Sequence, residues 1–185
     1  MDLVIKAHSE LAEYWNGITR IGSVFASGDD FAAFYTSKYL IQDTGEAVWS
    51  HMRAGFSRNP MVAYIEFWGV MQALFIQQDA ICEIHRAIFG KVPNLPKPSA
   101  WHDLRDLRNR SAGHPAKKDG KKGTLRSFMG RMPIYYERIV YEQYDSASRK
   151  ITHPNIDLRA MIRSYDAQAA DILSAVLSEV KLKWP

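Results

Sequence analysis

MVAYIEFWGVMQALF, Met61 to Phe75, is the stretch on which the fold turns. Apolar side chains stand on nearly every side of it: Val62, Tyr64, Ile65, Phe67, Trp68, Val70, Met71, Leu74 and Phe75. A helix with that pattern has no broad face to offer water, so it belongs at the centre of a domain. Glu66 lies inside the apolar run, and Gln77, Gln78 and Asp79 follow it, which makes it too short and too polar for a membrane span. Asn59-Pro60 opens the segment, because proline suits a first helical turn, and the pattern runs to about Phe89. In the second half Gln72, Asp79, Glu83 and Arg86 share one polar stripe.

Two helical segments precede this one. From Asp2 to Phe25, Leu3, Ala7, Leu11, Tyr14, Trp15, Ile18, Ile21 and Phe25 recur at spacings of three and four, which predicts one amphipathic helix. Ser27 to Asp30 reads as a turn and a start signal for a second helix over Phe31 to Phe56, with a break possible at Gly45. Downstream, Lys91 to Pro98 holds three prolines and is not helical. Ser99 is a suitable N-cap for a short helix from Ala100 to Ala112, stopped by Gly113 and Pro115. Ala116 to Gly123 reads as a basic, flexible loop. Ile134 to Asp145 is rich in Tyr, Ile and Val and predicts a strand, with Lys150 to His153 returning as a hairpin. Asn155 is placed to cap a last helix, Ile156 to Lys181. The expected fold is mainly all-α: one domain over 1–185, a four- to five-helix bundle with a small β-hairpin before the C-terminal helix.

Composition narrows the function class. A chain of 185 residues with 46% hydrophobic and 24% charged residues is an ordinary globular domain, not a disordered one. A net charge of +4 permits a polyanionic partner without demanding one. Cys82 stands alone, so neither an internal disulfide nor a paired-cysteine metal site is available. The acidic, unhydrophobic start predicts no signal peptide, and the expected location is cytoplasmic. His8, His51, His85, His102 and His153 show no paired metal-binding spacing, no glycine-rich phosphate loop is present, and no metal or cofactor is expected.

LRDLRNRSAGHP, Leu104 to Pro115, carries the chemistry. Arginine and histidine at a helix C-terminus are favoured by the exposed carbonyls, so the group has a plain capping explanation. The residue types also suit work on a phosphate. A guanidinium matches phosphate oxygens. An imidazole ordinarily titrates near ~6.5 and can move a proton at cellular pH. Together they suffice for metal-free RNA cleavage: histidine takes or gives the proton, and arginine holds the charge that builds on phosphate. DNA lacks the 2′-OH and would resist this route. On an unbroken α-helix Arg108 and His114 would sit ~9 Å apart along the axis and ~120° off a shared face. Either Gly113 swings His114 back, or two chains meet at this helix and pool their groups across a symmetric cleft.

Arg108-Asn109, four further residues and then His114 resembles the Arg-x(4–6)-His signature of the HEPN superfamily, which has a polar residue after the arginine. Gly69 to His85 is similar to the helix that precedes this motif in bacterial HEPN proteins. The likeness covers roughly Met61 to Pro115. It implies a helical domain that dimerises with the motif at the dimer cleft, and a metal-independent endoribonuclease of toxin–antitoxin, abortive-infection or CRISPR-linked defence systems. Other members are non-catalytic modules that bind RNA, nucleotide or protein, and that alternative stands beside the enzyme. Carried over by position, Arg108 faces the phosphate, Asn109 is its polar partner and His114 is the acid/base group. Arg105 and Arg110 fall outside the motif spacing and are helpers. Gln78 and Asp79 are candidates for support, Asp79 by a charged hydrogen bond to Arg108 or His114. Lys117, Lys118, Lys121 and Lys122 are candidates for tracking an RNA backbone. The implied partners are RNA, a second copy of the chain and an antitoxin or other protein.

Overall fold

Among the residues described by the computed structural model, 1–18, 25–119 and 123–185, five α-helices form: α1 Asp2–Asn16, α2 Gly28–Ala54, α3 Pro60–Phe89, α4 Ala100–Arg108 and α5 Leu158–Lys183. A small antiparallel sheet precedes α5, so the chain is mainly helical as its patterning predicts. The helix in which Met61 to Phe75 lies is the hub: α3 packs against α2, α4 and α5, and α5 also packs against α1. Phe67, Met71, Leu74, Ile81 and Ile84 of α3 are buried. Asn59 caps α3 through a bond from Met61 N (2.9 Å), and Gly90 ends it in the left-handed region at φ 72°. The all-round apolar pattern is only partly consumed, however. Met61, Val62, Ile65 and Trp68 remain exposed along one side of its first half.

Several boundaries differ from the sequence reading. α1 stops at Asn16 rather than near Phe25, with Gly17 N bonded back to Tyr14 O. Phe25 continues the apolar spacing for another reason: its ring meets Trp15 and Trp184 in an aromatic cluster at the helix end. Ile21 lies outside the described residues. α2 runs through Gly45 unbroken. An added Cβ there would meet both the Gln77 side chain and Ile5 at 3.4 Å, so this glycine lets three helices approach closely. Gln77 uses that closeness. It is fully buried, accepts from Tyr165 Oη (3.0 Å) and donates towards Thr44 Oγ1 (3.3 Å), tying α2, α3 and α5 together.

The β region is more elaborate than a hairpin. Strands β1 Lys118–Asp119, β2 Thr124–Phe128, β4 Glu142–Asp145 and β5 Lys150–Thr152 form one sheet in the order β1-β2-β4-β5. β3 Ile139–Val140 pairs separately with β6 Asn155–Ile156. The expected strand over Ile134 to Asp145 is therefore divided, because its two parts pair with different partners. The β4–β5 hairpin forms where expected. Asn155 is in a strand, and Asp157 caps α5 instead, accepting from Ala160 N (2.8 Å). No helix among the described residues is long and apolar enough to cross a membrane.

His8 of α1 is buried at 5% exposure, and its Nε2 has no partner. Burial lowers its pKa below the ordinary 6.5, against smaller opposing effects of the Lys38 carbonyl and Glu46. Below pH ~6.5 the unfolded chain takes up a proton that the folded chain refuses. Stability should thus fall on acidification from that value down to the lowered pKa. His8→Gln is expected to flatten this part of the pH profile, read by denaturant unfolding between pH 7 and 5. An unchanged slope would contradict the assignment.

Candidate functional site

The short helix α4 sets the motif. Ser99 caps it, accepting from His102 N, and Trp101, Leu104 and Leu107 bury one face. Gln78, itself buried, donates to the Trp101 carbonyl (3.0 Å) and pins the first turn of α4 onto α3. Gln78 therefore positions the helix and touches neither Arg108 nor His114.

α4 does not continue to Ala112. After Arg108 the chain widens into a π turn, Asn109–Gly113, closed by His114 N donating to Asn109 O (3.0 Å). Such turns are uncommon and occur often at functional sites. Two bonds hold this one. Ser111 Oγ donates to Leu107 O (2.7 Å), and Trp68 Nε1 donates to Ser111 O (3.3 Å), satisfying a carbonyl whose α-helical partner would be Pro115, which has no N–H. Beyond it, Pro115 O accepts from Ser127 N (2.7 Å), so β2 fixes the chain leaving the motif. His114 is exposed on the short bridge between π turn and sheet.

Arg108 lies back across α3. Its guanidinium is 4.1 Å from the centre of the Phe75 ring, with Nη2 donating to Gln72 Oε1 (2.9 Å) and Nη1 to Asn109 Oδ1 (3.2 Å). Both acceptors are neutral amides. Among the described residues no carboxylate lies within ion-pair distance of Arg108, and its buried Nε has no acceptor. A guanidinium has five N–H groups, so each terminal nitrogen retains a second donor.

The neighbouring cations are treated differently. Arg105, stacked on Phe75 at 4.2 Å, pairs with Asp79 (2.9 Å). Arg110 pairs with Asp106 (3.1 Å), which also receives Lys118. Lys117 pairs with Asp119 (3.3 Å). Asp79 is thus the partner of Arg105, not of Arg108 or His114, because the α3 stripe meets α4 one turn earlier than the motif. Lys118 is drawn into β1 and towards Asp106. Lys121 and Lys122 lie outside the described residues.

Gly113 explains why the motif closes on itself. The α-helix ends before it, at Arg108, and its φ is not positive. A Cβ at Gly113 would lie 2.5 Å from Arg108 Nη1 and 3.0 Å from Cζ. The guanidinium therefore rests against the α-carbon of the residue directly before His114, a space no other amino acid leaves open. Sequence reading names Arg108, Asn109 and His114. It misses Gln72 and Phe75 as the cradle: the polar stripe was visible, but its partner across the helix interface was not. Among the described residues no group of three or more His, Cys, Asp or Glu is arranged to hold a metal ion. Comparisons with protein-family models, characterised proteins and solved structures find no match to this chain.

Proposed function

We propose that this chain is a HEPN-type, metal-independent endoribonuclease acting as a homodimer on RNA in the cytoplasm. The observation that carries the reading is Arg108: a cation held by two amides and a ring face, with its full charge unspent, resting against Gly113, the residue directly before His114. An anion with planar-spaced oxygens is the ligand such a fork attracts. His114 then takes the proton from a ribose 2′-OH. The 2′-oxygen attacks the adjacent phosphorus, the bond to the 5′-oxygen breaks, and a 2′,3′-cyclic phosphate forms. The leaving oxygen needs a proton, which His114 of a second copy can supply. Arg108 stabilises the charge on the phosphorane oxygens. Asn109 orients Arg108 through its Oδ1.

A second copy also suits the exposed side of α3. Met61 and Ile65 form an apolar stripe one turn long, with Ile65 67% exposed, and Gln72, which holds Arg108, lies two turns further along the same side. A twofold contact along this stripe would bring two motifs to one cleft. The toxin or defence role, with an antitoxin as protein partner, belongs to the same proposal. Its expected sign is growth arrest on expression of wild type but not of His114→Ala.

The test is cleavage of single-stranded RNA and of the same DNA sequence with EDTA present. RNA should be cut to cyclic-phosphate ends and DNA left intact. Binding without cleavage would instead support the non-catalytic RNA-binding module. Gly113→Ala provides a finer check. The added methyl group must displace the guanidinium, and an ångström of misplacement costs about 100-fold in rate. A loss of that order with little change in melting temperature is expected; unchanged turnover would mean that the Arg108 position is irrelevant.

A further inference from the structure

Trp68 is the side chain that the catalytic reading leaves unused. It is a large aromatic residue, 39% exposed, on the same side of α3 as Gln72 and one turn before it. Its Nε1–H is committed to the Ser111 carbonyl of the π turn, so the indole cannot swing freely. Tyr64 packs against it at 4.6 Å between ring centres, tilted by 41°, which backs the ring on one side. Tyr64 Oη is itself anchored, accepting from Met129 N (3.0 Å). The result is a braced aromatic shelf whose orientation is tied to the turn that carries the motif.

Spacing connects the shelf to Arg108. One helical turn is about 5.4 Å along the axis. Gln72, one turn beyond Trp68, touches the Arg108 guanidinium. A phosphate on Arg108 would therefore lie roughly one nucleotide's reach from the indole. Aromatic rings bind bases of any sequence because every base has a π-face. Phe75 cannot serve, since Arg105 and Arg108 occupy its ring.

Resting on the ribonuclease reading, we propose that Trp68 is a base-stacking subsite, holding the nucleobase beside the scissile phosphate of single-stranded RNA. Duplex RNA, with its bases stacked internally, could not use it. The subsite would select unpaired regions without strong sequence preference.

The experiment uses the full chain carrying His114→Ala, so that bound RNA survives, and a labelled oligouridine read by fluorescence anisotropy. A matched series contains one abasic nucleotide at each position in turn. One abasic position is expected to weaken binding to the His114→Ala protein about tenfold, the size of a single stacking contact. Adding Trp68→Ala should weaken binding of the intact oligomer by a similar factor and remove the penalty at that position. Trp68→Phe, which keeps a ring in place, should restore most of the binding and the position dependence. An abasic penalty that persists in Trp68→Ala overturns the subsite. So does a shift of Trp68→Ala to a smaller species in sedimentation, which would make the indole an interface residue. Failure of the ribonuclease reading looks different: the His114→Ala protein would bind the oligomer no better than its Arg108→Ala derivative, whatever stands at position 68, and the subsite falls with it.

Discussion

Replacing His114 with alanine is expected to slow RNA cleavage by about 10²- to 10⁴-fold, the usual worth of a positioned proton-transfer group. His114 is exposed and makes only a backbone bond within the turn, so the melting temperature should barely move. Arg108→Ala should cost about 10²- to 10³-fold, as expected for one preorganised charge facing the transition state. Arg108→Lys should recover little of this, because a lysine ammonium cannot bridge Gln72 and Asn109 as a planar fork does. By contrast Arg110→Ala, whose charge Asp106 already balances, should stay within a fewfold of wild type. These rates are measured by single-turnover cleavage with EDTA, and residual activity of His114→Ala near the wild-type level would remove the enzyme reading. The histidine and arginine losses should not add in the double variant, since both groups act on one phosphate.

Asp166→Ala should be the most damaging change to the fold away from the motif. Asp166 lies on α5, is 4% exposed, and accepts from Leu3 N (3.1 Å) and Val4 N (2.9 Å) at the start of α1. Those amides have no partner within their own helix, and the carboxylate also faces the positive end of the helix dipole. Hydrogen bonds to a charged group contribute about 1.5–3 kcal/mol each, and the variant leaves the buried Val4 amide and the half-buried Leu3 amide without this acceptor. A loss of about 3 kcal/mol is expected. In a chain of this size that lowers the melting temperature by roughly 6–12 °C. Asp166→Asn should fall between, keeping one acceptor oxygen but no charge. A change under about 2 °C for Asp166→Ala would show that α1 is held by its apolar face alone.

The two predictions differ in how far the amino-acid order anticipates them. Arg108 and His114 stand out because their residue types are chemically loaded and closely spaced. Asp166 looks like any polar residue on an amphipathic helix; its value comes from a partner 162 positions away. Gly45 and Gly113 mislead for the same reason. Each reads as a local break or stop, yet each exists to admit a side chain or helix that only the packed chain brings near. β2 is hidden beside a basic, glycine-flanked stretch, and it becomes a strand by pairing with β4.

Local spacing by itself determined that helices form in these five segments and that α2, α3 and α4 start at the caps Ser27, Asn59 and Ser99, because these depend on neighbours within a turn or two. Tertiary packing decided which arginine keeps its charge. Arg105, Arg108 and Arg110 are the same residue type within one short stretch, but α3 offers Asp79 to the first and only Gln72 and Phe75 to the second, while the third turns back to Asp106. The register of one helix on another sets those partners, and nothing within a single helix encodes it.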